Sequence, residues 1–183
     1  MRNKAHDLST YSFSPNEGIL VDANIWLYMF PAPANPTYPH AHLYSSGFHR
    51  MLGAGAQPYL DPMVLGEYLN RYCRIEFDAG FRSAYRNFKS FRKSTDYMPV
   101  GQAATTFAAK IVSFCQVHAI PANQLDLQSA LSDFQTGATD FTDSILVDVC
   151  KKEGLKLMTN DSDFTNGGIE VLTTHPRLLS ACP

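Results

Sequence analysis

Long apolar runs are missing from this 183-residue chain. No stretch approaches the roughly 20 uninterrupted apolar residues that cross a bilayer, and the first 17 residues hold no apolar core of a secretory signal. Paired metal-binding motifs are missing too. Cys73, Cys115, Cys150 and Cys182 are far apart and form no CxxC, which argues against a zinc site or disulfide framework and for reduced thiols in the cytoplasm. His40, His42 and His49 lie near one helix without an HxxxH or HExxH pattern, and His118 and His175 stand alone. No GxxxxGK[ST], GxGxxG or GxSxG occurs, so nucleotide cradles and serine triads lack support. Excess charge of either sign is also absent: 15 Lys and Arg face 17 Asp and Glu, for a net −2. Taken alone, that balance speaks against a nucleic-acid binder.

The chain does have apolar material. Its 45% hydrophobic and 17% charged residues suit a single well-cored domain. Residues 1–17 read as a flexible leader and residues 18–183 as the domain. Gly18–Asp22 is an apolar run ending in a carboxylate, a buried strand by pattern. A helix follows from Asn24 to Phe30, stopped by the proline-rich loop 31–39. Further helices are expected over 40–53, 63–77, 81–93, 101–116, 125–134 and 140–153. Strands are expected at 57–60, 117–120, 156–159 and 169–172. Strands alternating with helices imply crossovers, hence an α/β fold whose parallel sheet is covered by helices on both faces. Trp26 reads as a packing residue.

The informative acids sit at element ends. Asp22 closes the first strand and Asp161 follows the strand at 156–159, where a parallel sheet presents its ligand crevice. Glu67 lies in the first turns of the helix after the second strand. Asp140 and Asp143 share a face at the start of another helix. Asp140 reads equally as a helix cap, and Asp163 equally as a turn residue. Buried carboxylates need partners, and an oxygen-only set suits Mg2+ or Mn2+ together with a phosphate. Such a set is suited to phosphodiester hydrolysis.

Four segments carry these acids: Val21-Asp22-Ala23-Asn24-Ile25-Trp26-Leu27, Met63-Val64-Leu65-Gly66-Glu67-Tyr68-Leu69, Asp140-Phe141-Thr142-Asp143-Ser144-Ile145-Leu146, and Leu157-Met158-Thr159-Asn160-Asp161-Ser162-Asp163-Phe164. In order and spacing they resemble the four acidic motifs of PIN-domain ribonucleases, and are most like the toxin components of bacterial type II toxin–antitoxin pairs. The resemblance implies a three-layer α/β/α domain with about five short parallel strands and a metal-dependent endoribonuclease activity on RNA. It makes Asp22, Glu67, Asp143 and Asp161 the catalytic, metal-binding quartet, with Asp140 and Asp163 as auxiliary metal-binding acids. Asn24 would orient the first aspartate beside the substrate. An antitoxin protein and homodimerisation are further implications of the resemblance. Aspartyl-phosphate phosphatases of the haloacid dehalogenase type also start from an Asp after a first strand, but they want a second Asp where this chain has Asn24. A catalytically silent RNA- or protein-binding module is the other alternative.

The near-neutral total hides segregation. Residues 71–93 hold seven basic and two acidic side chains, a net +5, whereas residues 126–170 hold nine acidic and three basic, a net −6. Arg82, Arg86, Lys89 and Lys93 fall on one stripe of the expected 81–93 helix, which suits either RNA phosphates or plain solvation. Phe81, Tyr85, Phe88 and Phe91 interleave with them and read first as core.

Overall fold

The computed structural model describes residues 1–34 and 38–182. Six short strands, β1 (Lys4–Asp7), β2 (Gly18–Val21), β3 (Gln57–Leu60), β4 (Gln116–Val117), β5 (Lys156–Met158) and β6 (Glu170–Thr173), form one sheet in the order β1-β6-β5-β2-β3-β4. Every neighbouring pair is parallel. The helices are α1 (Ala23–Met29), α2 (Ala41–Gly53), α3 (Pro62–Glu76), α4 (Phe88–Phe91), α5 (Tyr97–Phe114), α6 (Leu127–Thr136), α7 (Phe141–Glu153) and α8 (Pro176–Ala181). The result is a three-layer α/β/α domain. The middle of the expected proline-rich loop, residues 35–37, lies outside the described residues, as does residue 183.

Central strands show why the sheet needs both layers. Ile19, Leu20 and Val21 of β2, Leu157 and Met158 of β5, and Val171 and Leu172 of β6 are all buried. Consecutive side chains point to opposite faces, so unbroken burial means that both faces are covered. Trp26 is fully buried and donates its indole N–H to the Val21 carbonyl at 3.0 Å, a packing role that also satisfies its polar atom. Helix ends follow the local chemistry. Asp61 accepts the Met63 amide at 2.6 Å to cap α3, with Pro62 at its first position. Gly154 ends α7 at φ 66°, in the left-handed region.

Three expectations need correction. Residues 1–17 are not a free leader. They contribute β1, whose residues pair in register from Lys4↔Glu170 to Asp7↔Thr173. Asn3 is buried, its side chain donating to the Phe164 carbonyl and accepting the Ile169 amide. Lys156 bonds Glu17 and Glu170 at 2.7 Å each, and donates to the Tyr11 hydroxyl at 2.6 Å. An edge strand of sequence Lys-Ala-His-Asp has no apolar alternation, so its pairing is invisible until β6 is in place. Leu8, just after β1, is fully buried against α2, where Gly47 leaves room for its side chain. Replacing Leu8 with Ala is expected to cost about 2–5 kcal/mol; a urea-unfolding loss under about 0.5 kcal/mol would show the segment to be peripheral.

The expected 81–93 helix is also absent. A π-helical turn, Phe77–Phe81, ends the α3 region, and Asn87 opens α4 with a reciprocal capping box to Ser90. That cap places Asn87 in extended backbone (φ −162°) and breaks the helix. Arg82, Arg86, Lys89 and Lys93 are exposed but share no single helical stripe, and Arg82 pairs with Asp78 at 2.8 Å. The interleaved aromatics are core, as read: Phe91 is fully buried, and Phe81, Tyr85 and Phe88 pack against the core.

The sixth strand is the third difference. About five strands were expected; β1 makes six, and the strand expected at 117–120 is the two-residue β4. His118 is not isolated either. Its Nε2 lies 2.8 Å from the Asp61 carboxylate, both side chains being nearly buried.

Candidate metal centre

The sheet order reverses direction at β2, whose sheet neighbours are β3 on one side and β5 on the other. A crevice at such a switch point, beyond the carboxyl ends of the strands, is where open α/β sheets bind ligands. Asp22 follows β2 directly, and Asp161 lies three residues beyond β5. The Asp22 amide donates to the Met158 carbonyl at 3.0 Å, which locks the two strand ends together.

Asp22 is 5% exposed. Its Oδ1 accepts the Ala23 amide at 2.6 Å, while Oδ2 accepts from the Thr159 hydroxyl and the Asn24 side-chain amide, each at 2.6 Å. Burial lifts its carboxyl to about 6, the negative charges of Glu67 and Asp161 adding to the effect and the Thr159 and Ala23 hydrogen bonds opposing it. Thr159 is fully buried and also accepts the Asp161 amide at 3.0 Å. One hydroxyl therefore fixes both strand-end aspartates. Asn24 accepts the Asn160 amide through its Oδ1 at 3.2 Å.

Asp143 stands in the first turn of α7. Burial pushes its carboxyl up to about 7, reinforced by the charges of Asp22, Asp161, Asp140 and Glu67. Four carboxylates, from Asp22, Glu67, Asp140 and Asp161, thus lie within electrostatic reach of Asp143. Glu67, on α3, is held by Arg71 one turn later at 3.0 Å. Asp140 occupies the cap position of α7 yet makes no side-chain capping bond, so its exposed carboxylate stays uncommitted. Asp163 is an exposed turn residue whose amide donates to Asp161 Oδ1 at 3.0 Å. With Asp140, Phe134 and Ser162 it lines a cleft of about 430 Å³. A larger cavity, about 560 Å³ between α3, α4 and α5, contains no carboxylate and cannot serve the same chemistry.

Among the described residues, no Lys or Arg forms an ion pair with Asp22, Asp143 or Asp161. Nor, among the described residues, do any three His, Cys, Asp or Glu side chains stand at metal-ligating separation. The donor chemistry nonetheless fits a hard divalent cation: oxygens only, two carboxyls raised by burial and mutual repulsion, and no cation of the chain's own to relieve Asp22 or Asp143.

Sequence reading missed Thr159, Asn160, Tyr28 and Tyr44. The position of Thr159 directly after a strand ending was an available signal. Tyr44 joins Asn160 Oδ1 at 2.7 Å across 116 positions of sequence, and nothing local announces that.

No protein-family model matches the chain, and no curated protein matches it. Among solved structures, the crystal structure of PAE2754 from Pyrobaculum aerophilum is similar at 16% sequence identity, covering 85% of this chain and 90% of that one with a TM-score of 0.47. That likeness has no bearing on activity. Among the described residues, no helix is long and apolar enough to cross a membrane.

Proposed function

We propose that this protein is a Mg2+- or Mn2+-dependent endoribonuclease, a hydrolase of phosphodiester bonds in RNA. The observation that supports the reading is that Asp22 and Asp161 meet through Thr159 at adjacent strand ends, with Glu67 and Asp143, from two further segments, within electrostatic reach of them. These four would hold the cation, with Asp140 and Asp163 as auxiliary acids. Once bound, it supplies charge neutralisation at the phosphate and a lowered pKa for water.

The chain's own part is positioning. Thr159 and Asn24 hold the Asp22 carboxylate in one orientation, and Thr159 fixes the backbone that presents Asp161. Asp22 itself is almost fully shielded from solvent. Near neutral pH the Asp143 carboxyl holds a proton part of the time, so cation binding competes with protonation there. The exposed Arg82, Arg86, Lys89 and Lys93 supply a cationic surface for the RNA backbone. The resemblance in the four motifs extends the proposal to a cytoplasmic toxin held by an antitoxin, and to homodimers.

RNA incubated with purified protein should be cut with Mg2+ or Mn2+ and left intact with EDTA. Asp22→Asn and Asp161→Asn should each lower the rate by at least about 100-fold. Full activity in either variant overturns the assignment. A silent RNA- or protein-binding module is the second reading, favoured by the lack of three acids at ligating separation. Calorimetry separates the two: absence of binding of either ion at millimolar concentration favours the silent module.

A further inference from the structure

Three tyrosines run from the core to the surface beside the acids. Tyr44 is fully buried; its hydroxyl donates to Asn160 Oδ1 at 2.7 Å and accepts the Thr174 amide at 3.0 Å. The half-buried Tyr28 lies against it, ring centroids 5.5 Å apart, and accepts from Asn160 Nδ2 at 2.8 Å. Tyr38, also half-buried, has its centroid 4.9 Å from Tyr28, tilted by 53°.

Two connections tie this ladder to the acids. Asn160, which grips both Tyr28 and Tyr44, immediately precedes Asp161, and its amide is held by Asn24, the partner of Asp22. Arg71, ion-paired with Glu67, brings its charge to bear on the Tyr28 hydroxyl. Core packing accounts for Tyr44 and much of Tyr28. It does not account for Tyr38, which stands outside the hydrophobic core and whose ring contact among the described residues is Tyr28.

We propose that Tyr38, backed by Tyr28, forms a stacking subsite for a nucleobase of the RNA strand next to the acids. The proposal rests on the phosphodiesterase reading of the acids. An aromatic face takes any base, since every base has a π-face, but a base inside a duplex already has both faces covered by its neighbours. Arg71, paired with Glu67 at 3.0 Å and within electrostatic reach of Tyr28, is the cation available to the phosphate of a nucleotide stacked there. The subsite therefore recognises the presence of a base rather than its identity.

Fluorescence anisotropy of a labelled single-stranded RNA with the full chain in EDTA reads the subsite apart from cleavage. Tyr38→Ala should weaken binding about tenfold, and Tyr38→Trp should keep it. Neither should alter binding of the same strand carrying abasic nucleotides. With Mg2+, Tyr38→Ala should raise KM about tenfold and leave kcat within about twofold. Wild-type affinity for the base-bearing strand in Tyr38→Ala, or equal affinity of wild-type protein for base-bearing and abasic strands, overturns the subsite. If the wild type cuts RNA and Tyr38→Ala behaves identically, only the subsite fails. If the wild type cuts nothing with either ion, the nuclease reading fails and anisotropy still decides the subsite.

Discussion

Asp143→Asn should abolish metal-dependent RNA cleavage while making the metal-free protein more stable at pH 8. Loss of one carboxylate from the quartet should reduce kcat by roughly 1,000-fold, in the range seen when a single electrostatic group is removed from an active site. The stability change has the opposite sign. The folded carboxyl titrates at about 7 against an ordinary 3.8, raised by burial and by Asp22, Asp161, Asp140 and Glu67. Between those values the folded state binds more protons than the unfolded one, so stability falls as pH rises through the window and levels off above about 7. Below about pH 4 the penalty is absent.

Asp143 has no side-chain hydrogen-bond partner among the described residues, so asparagine removes the charge without breaking a hydrogen bond. At pH 8 the gain should be on the order of 2–4 kcal/mol. That corresponds to roughly 4–16 °C in Tm for a chain of this size, shrinking towards nothing at pH 4. Saturating Mg2+ should raise the Tm of the wild type at pH 8 and that of the variant by less, because a ligand of the folded state stabilises by mass action. Scanning calorimetry at pH 4, 6 and 8, with EDTA and with Mg2+, reads all of this. A variant less stable than wild type at pH 8 in EDTA would show that repulsion does not govern the cluster.

Phe91→Ala should cost about 3–5 kcal/mol and loosen the whole segment from 77 to 97. Phe91 is fully buried, and its ring centroid lies 4.6 Å from that of Phe81, 5.4 Å from Phe77, 5.5 Å from Tyr85, 5.6 Å from Tyr97 and 6.1 Å from Phe88. Helix α4 has four residues, too few to persist without tertiary packing. The aromatic cluster therefore holds the basic surface in place, and losing its central ring leaves a cavity that short, capped turns cannot collapse to fill. Thermal melting should fall by roughly 6–20 °C, and limited proteolysis should begin cutting between residues 82 and 96. A melt within about 2 °C of wild type, with unchanged proteolysis, would show that another element fixes the segment.

Periodicity exposed much of this architecture before any coordinates. Gly18–Val21 is a continuous apolar run because both faces of a parallel sheet are covered, whereas Gln57–Leu60 and 156–158 each open on a polar residue, Gln57 and Lys156. Gly154 marks the end of α7 because it alone takes the left-handed cap without strain. Asp22 and Asp161 stood out as acids terminating such runs. The edge strand β1 did not stand out: exposed on its free side, it needs no apolar alternation, and its partner lies 166 positions away in the register Lys4↔Glu170. The stripe drawn through Arg82, Arg86, Lys89 and Lys93 failed for a different reason. Helical spacing is meaningful only within one helix, and the Asn87 capping box interrupts it.

By itself, then, the sequence determined the α/β alternation, the chain positions of the acids, and the segregation of charge, since burial period, caps and composition are local properties. Only the tertiary structure decided which acids come within electrostatic reach of one another. Strand order sets Asp22 beside the end of β5, Thr159 reaches it across 137 positions, and the shared burial raises Asp22 and Asp143 together. Those effects depend on distances through space, which fall off too steeply for any spacing along the chain to encode them.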